Sequence, residues 1–358
     1  MITVKDKETW NRILNKLNIN DIFFYYEYFE IYKTNYNVDL EAVYWEDENV
    51  IIFFPHLVRN IKNIPLFKEL KEDYYDLTTP YGYGGPVVKI KVDKENKIKE
   101  SIKKFKLEYY KYALSRNYVC EFIRFHPILE NHKYFCEIFN VEYINDIVYI
   151  DLTQSLDEIW KNMNNLTKRS IKKSQKFCPI VQIVTSPEDI HIKDFLNLYY
   201  KTMDRHGAEK KYYFGKQFIL DHLRKLGGIF ILVKDIKNIT ASIALFVGSK
   251  ENLYYHLGAT NYEIAKKYKI SPLRLVLWVA IKYAKEKNFR HLILGGGRIS
   301  NDSLFKFKLG FSKKTKPFYI GEIVFNKKVY ETLSNLAKIN KEEKFFPAYR
   351  KNFDETIV

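Results

Sequence analysis

The chain has 358 residues, 46% of them hydrophobic and 28% charged, with 59 Lys and Arg against 43 Asp and Glu for a net charge of +16. This composition excludes a disordered chain and fits about two globular domains. Cys120, Cys136 and Cys178 are too few and too far apart for a disulfide framework or a metal site, and no apolar run reaches the roughly 18 residues that span a bilayer. The opening MITVKDKETW has no apolar signal-peptide core, so a cytoplasmic protein without a transmembrane segment is expected. A positive excess of this size favours polyanions: RNA, nucleotides, diphosphates or peripheral contact with an anionic membrane. The chain's wealth of Lys, Asn, Ile, Tyr and Phe is also what AT-rich codons encode. Local clusters therefore carry more than the total.

Along the chain, strands alternate with helices. Residues 22–33 (IFFYYEYFEIYK) place aromatics at helical spacing. AVYWED and ENVIIFFPHLVR read as two strands joined near Asp47, and DYYDLTTPYGYGGPVV as irregular turn-rich chain. A charged helix is expected over about 92–115, then a strand YVCEFIR that leaves into a loop at Pro127. VYIDLTQSLDEIW marks a boundary, a strand followed by Thr153 or Ser155 as helix cap. Beyond it come a basic helix over 161–176, a strand VQIVTS, helices near 192–206 and 215–226, and a hairpin over 228–248 that turns near Ile236–Asn238. The strand ENLYYHLGAT follows. Ser271 and Pro272 then open a strong helix, SPLRLVLWVAIKYAKEKN. HLILGGG reads as a strand, SLFKFKLGF as a short helix, and KKTKPFYIGEIVF as a final strand.

Four segments could carry chemistry. The first is the strand end Gly295-Gly296-Gly297 with the helix after it, holding Ser303, Lys306, Phe307 and Lys308. Bare glycine backbone admits close approach, and lysine charge beside it suits an oxyanion or a phosphate. The plainer alternative is a tight turn with solvated lysines. The second is Lys161 to Lys176, six basic residues and no acid, including Arg169, Lys172 and Lys173. Like charges at helical spacing repel and are more easily explained with an anion against them. A solvated face explains them too. The third pairs TTPYGYGGP, with Tyr81 and Tyr83 as pocket-lining donors, and RFHP, in which Arg124 and His126 alternate on one strand face toward a cleft. The fourth, YYKTMDRHGAEKKYYF, sets His206 before a helix-ending Gly207. Walker, nucleophile-elbow, HExxH and dinucleotide signatures are missing from the sequence.

Taken in order, YGYGGP, RFHP followed by Asn131, TKRSIKKSQK, YYKTMDRHGA, YYHLGAT and LGGG…SLFKFKLGF resemble the Fem family of peptide-bridge transferases. The run from 229 to 325 also looks like the second half of a GCN5-related acetyltransferase (GNAT) domain. The resemblance implies an α/β (α+β) protein of two tandem GNAT-like domains, with clefts within and between them. One would span 1–150 plus 322–358, the other, catalytic, 151–321. It implies transfer of an aminoacyl or acyl group to an amine of a cell-envelope precursor, UDP-linked or lipid-linked. The donor would be aminoacyl-tRNA or acyl-CoA, with no bound cofactor, no metal and no DNA partner. Phe307-Lys308 matches the family's Phe-Lys pair at the reacting centre, where the lysine holds the oxyanion. Arg169 matches the residue that contacts the nucleotide diphosphate, and Lys172, Lys173 and Tyr255 lie in the matching segments. NYEIAKKYKISP stands where acetyl-CoA enzymes carry a glycine-rich pyrophosphate loop, and it contains no glycine. A sugar N-acyltransferase of surface polysaccharide and a non-catalytic basic RNA-binding protein are the alternatives.

Overall fold

The computed structural model describes residues 1–297, 299, 301–340 and 343–353. The chain divides into two compact units, one of residues 1–19, 23–144 and 318–358, the other of residues 20–22 and 145–317. The divisions fall within strands, a few residues from the boundaries expected at 150 and 322. The short segment 20–22 joins the second unit, which the sequence pattern does not signal. Residues 341, 342 and 354–358 of the expected tail lie outside the described residues.

Unit 1 holds strands β1 (Ile2–Val4), β2 (Asp39–Glu46), β3 (Val50–Asn60), β4 (Tyr75–Thr78), β5 (Val87–Ile90) and β6 (Tyr118–Arg124), with helices α1 (Lys7–Leu17), α2 (Tyr26–Asn35), α3 (Glu95–Ser115) and α4 (His132–Phe135). The segment expected to be irregular thus contributes β4 and β5. Its Tyr75–Thr78 stretch is too short to show a period, and pairing with β3 and β6 makes it a strand. β1 to β4 pair antiparallel in order, β4 pairs parallel with β6 across helix α3, and β6 pairs antiparallel with a late strand, β13 (Thr315–Val324). The core packs Trp45, Phe54, Phe105, Tyr109 and Phe139 on one side. A second cluster joins Ile61, Phe67 and Cys120 to Leu333 of α12 (Lys327–Leu336) and to Tyr349.

Unit 2 repeats the scheme. Its elements are β7 (Asn140–Asp151), α5 (Leu156–Asn162), α6 (Asn165–Phe177), β8 (Ile180–Val184), α7 (Asp189–Arg205), α8 (Lys216–Lys225), β9 (Ile229–Lys234), β10 (Thr240–Gly248), β11 (Asn252–Thr260), α9 (Tyr262–Tyr268), α10 (Pro272–Glu286), β12 (His291–Gly295) and α11 (Ser303–Leu309). β8 to β11 pair antiparallel in order, β11 pairs parallel with β12 across α10, and β12 pairs antiparallel with β7. A parallel neighbour needs a crossover, and the apolar helix supplies it. α10 buries Leu275, Val276, Val279, Ala280 and Ala284 among others, each large one worth roughly 1.5–3 kcal/mol.

The basic stretch forms two helices. Ser155 closes a capping box with Glu158 on α5, and Asn164 restarts the chain by accepting from Thr167 N at 2.7 Å. Ser271 precedes α10 but makes no side-chain cap bond, and Pro272 starts the helix instead.

Candidate active site

The parallel pair β11–β12 is registered only from Asn252–His291 to Tyr254–Ile293. Past that point β11 runs on to Thr260 beside β10, while β12 ends at Gly295. The two strands part there, and side chains from outside the sheet can enter between them. Ligands of α/β sheets favour such strand ends.

Lys308 enters at this point. It is 6% exposed, and its ammonium donates to the Gly296 carbonyl at 2.6 Å and lies 6.0 Å from the centre of the Tyr255 ring. Burial pushes its pKa down to about 8, against an opposing pull from Asp302. Among the described residues no carboxylate forms an ion pair with it, and Gly296 O is its one hydrogen-bond acceptor. Two of its three N–H groups therefore remain for another oxygen.

The glycines fix this geometry. Gly295 has φ 77°, a left-handed conformation that suits glycine. A Cβ on Gly296 would come within 2.9 Å of the Asp146 carbonyl and the Asn145 amide oxygen, and one on Gly297 within 2.2 Å of Asp302. Asp302 in turn caps α11 by accepting from Phe305 N at 2.7 Å. The run is thus a tight joint between β12 and α11, and a carbonyl of that joint, rather than an N–H, takes the lysine. At the far end of α11, Gly310 O accepts from Asn164 N at 3.0 Å, and a Cβ on Gly310 would sit 2.3 Å from Thr167 Oγ1. The start of α6 is thereby held against the end of α11.

Phe307 is half-buried, with the guanidinium of Arg274 stacked 4.8 Å from its ring centre. Arg274 lies in the first turn of α10. Its Nε is buried without a hydrogen-bond partner, it makes no ion pair among the described residues, and burial lowers its pKa. Sequence reasoning missed it. The signal was there: one arginine in the otherwise apolar SPLRLVLW. Asn145, whose Nδ2 donates to Gly297 O at 3.2 Å, and buried Thr167 were missed too.

The remaining expected residues fall as follows. Tyr255 is half-buried beside Lys308 and packs its hydroxyl over Gly258, where a Cβ would meet it at 2.0 Å. Ser303 and Lys306 are exposed on α11, and Arg169, Lys172 and Lys173 are exposed on α6. His206 is exposed at the end of α7, its Nε2 3.0 Å from Arg205. Tyr81, Tyr83, Arg124 and His126 all belong to unit 1, at the equivalent parting of β4 and β6.

That parting is filled. His126 is 0% exposed, packed against Phe23, Phe24 and Tyr83. Its Nδ1 accepts from Leu129 N at 3.2 Å, and its own N–H donates to Asn131 Oδ1 at 2.8 Å. Asn131 Nδ2 donates to Gly84 O and Pro86 O, which locks the glycine-rich loop. Tyr81 is half-buried and its carbonyl accepts from the Tyr28 hydroxyl. The expectation that His126 faces a cleft is corrected. It lies beyond the last residue of β6, so the strand alternation stops before it, and it closes a turn. Arg124 is half-buried, stacked 4.8 Å from the Phe122 ring.

A sequence profile of the FemAB family matches residues 132–218. No curated protein matches the sequence. Among solved structures, FemX superposes with a TM-score of 0.63 at 14% identity, over 93% of this chain and 99% of that one. The C-terminal domain of a putative lysylphosphatidylglycerol synthetase from Agrobacterium fabrum superposes with a TM-score of 0.53 at 10% identity, over 92% and 94% of the two chains. L-PGS from Bacillus licheniformis gives 0.51 at 10% identity, over 94% and 97%. At these identities the likeness is one of fold: the chain has the FemABX-like, GNAT-type α/β architecture. No helix of the described residues is long and apolar enough to cross a membrane.

Proposed function

We propose that this protein is an acyltransferase that moves an aminoacyl or acyl group onto an amine of a cell-envelope precursor, nucleotide-linked or lipid-linked. The observation that carries the reading is the Lys308 ammonium. It is buried, held in place by one carbonyl, and left with two donors at the parting of two parallel strands. FemX and the lysylphosphatidylglycerol synthetase share the fold, which supports an envelope-directed transfer.

In this reading a neutral acceptor amine attacks the carbonyl carbon of an activated ester or thioester. A C–N bond forms, and the carbonyl oxygen takes the negative charge. Lys308 N–H groups hold that oxyanion in a site where water competes poorly. Its collapse expels the alcohol or thiol, which takes up the proton the amine releases. Phe307 walls the reacting centre, and the exposed Arg169, Lys172 and Lys173 on α6 attract the acceptor's diphosphate. In place of a glycine-rich pyrophosphate loop stands α9, a helix capped by Asn261, whose side chain accepts from Ile264 N at 3.3 Å. That favours aminoacyl-tRNA over acyl-CoA as donor.

The test is a transfer assay with labelled aminoacyl-tRNA and acyl-CoA donors against UDP-linked peptides and amino sugars, with phosphatidylglycerol, which offers hydroxyls and no amine, as the contrasting acceptor that this reading expects to stay unmodified. The reading expects one donor–acceptor pair to turn over and Lys308→Ala to lose about 10²–10³ in kcat, the size of one oxyanion contact. A folded Lys308→Ala variant with wild-type turnover overturns it.

A further inference from the structure

The two faces of α3, the longest of the described helices, differ in an unusual way. Ile102, Phe105, Tyr109 and Ala113 are buried in the core of unit 1. The opposite face of such a helix is ordinarily polar. Here it carries Leu107, Tyr110 and Leu114, which are 66%, 37% and 43% exposed. Steps of three and then four residues put them on one line, two turns and about 10 Å long. Lys103 continues the line one turn earlier and Lys111 stands beside it, both exposed and neither in an ion pair among the described residues. Lys104 and Lys106 rim it. The Lys104 ammonium lies 5.8 Å from the centre of the Trp45 ring, and the Lys106 ammonium donates to the Glu137 carbonyl. Glu108, on the flank, gives its carboxylate to Trp45 Nε1 at 2.8 Å. The exposed Glu100 lies a turn before Lys103, so the outward line from Lys103 to Leu114 holds no acid.

We propose that this face of α3 docks unit 1 on an anionic lipid surface, with Leu107, Tyr110 and Leu114 at the acyl boundary and Lys103 and Lys111 on headgroup phosphates. Aliphatic anchors rimmed by lysines suit that boundary, where an ammonium reaches the headgroups along its own apolar stem. RNA would take open ring faces. The one ring on this line packs against Phe325 at 5.7 Å, with its hydroxyl donating to the Phe325 carbonyl at 2.8 Å. A second copy of a chain with net charge +16 would set lysine against lysine. The inference is independent of the transferase reading, and Lys308→Ala is expected to bind vesicles as the wild type does.

The experiment measures sedimentation of the full chain with vesicles of phosphatidylglycerol and phosphatidylcholine, and of phosphatidylcholine alone, at low salt and at about 0.15 M. The wild type is expected to bind the mixed vesicles at least about tenfold more tightly than phosphatidylcholine, and less tightly as salt rises. Leu107→Gln/Leu114→Gln is expected to weaken this about tenfold or more. Lys103→Gln/Lys111→Gln is expected to do the same and to flatten the salt dependence, each lysine near such a surface being worth about fivefold. Lys250→Gln/Lys282→Gln removes two exposed lysines of unit 2 and is expected to stay within about twofold of wild type. Leu107→Ala/Leu114→Ala carries the same test if the Gln variant loses its thermal transition. Unchanged affinity in the folded α3 variants overturns the proposal. So does wild-type binding that ignores phosphatidylglycerol, or an equal loss in the unit 2 pair, which would make net charge the cause. A wild-type dimer in light scattering that the leucine variant dissolves overturns it too, and gives the face to a second copy.

Discussion

Lys308 spends stability on its position. Holding a charged ammonium among Gly296, Tyr255 and Asp302 costs desolvation in full at every pH below its value of about 8, and the cost shrinks as pH rises from there to the ordinary lysine value of the unfolded chain, where it is gone. Lys308→Met, close in volume, removes that cost. It is expected to keep or raise Tm while kcat falls about 10²–10³, and thermal melts beside the transfer assay separate the two effects. The same value sets a pH limb. Transfer that needs the ammonium is expected to fall as pH rises through about 8, roughly tenfold per unit, in a kcat/KM profile. A limb still flat at pH 10 would take the charge of Lys308 out of the reaction. Arg274 has a planar cation and no anion among the described residues. Arg274→Ala is expected to raise the KM of an anionic substrate about tenfold or more with less change in kcat, and Arg274→Lys to restore part, since a lysine keeps the charge but not the fork.

Among the elements, α11 is the hinge pin of the site, and glycine fixes both its ends. Gly297 makes room for the Asp302 cap, and Gly310 makes room for Thr167 of α6. Gly310→Ala puts a methyl 2.3 Å from Thr167 Oγ1 and 3.0 Å from the Phe307 carbonyl. The expected cost is about 1–3 kcal/mol in chemical denaturation, with a fall in turnover as α6 is pushed from α11. Thr167→Ala in the same chain should return much of both, and the double-mutant cycle reads the coupling. The KLGF pattern was legible as a turn after a lysine. That its glycine serves the packing of a helix 140 residues earlier was not, because a Cβ clash depends on which surface arrives from elsewhere.

At the scale of the whole molecule, Tyr349 and Arg350 close unit 1. Asp76 of β4 accepts from Arg59 Nε and Arg350 Nε, each at 2.6 Å, and from the Tyr349 hydroxyl at 2.8 Å, all buried. Burial pushes this carboxyl up, but Arg350 and then Arg59 override it and hold it below its ordinary value. Its contribution to stability is therefore present above the usual carboxylate range and is lost as pH falls through the lowered value. Asp76→Ala removes the shared carboxylate from two buried guanidiniums and is expected to cost about 3–5 kcal/mol in denaturant unfolding.

What the sequence determined by itself was local: helices α3 and α10, the β2–β3 and β9–β10 hairpins, the Ser155 cap, and the order of motifs that resembles the Fem family. The elements and the cap rest on periodicity or turn chemistry within some 20 residues, which folding does not rewrite, and the motif order rests on a resemblance of short segments spread along the chain. The tertiary structure decided what depends on partners far along the chain. It gave each unit the same six-strand pairing and took the sixth strand of unit 1 from β13, about 190 residues beyond its partner β6. It buried His126 as a turn lock while leaving Arg169 in solvent. It set Lys308 on a glycine carbonyl. A side chain's desolvation, and hence its chemistry, is set by neighbours that sequence spacing does not name.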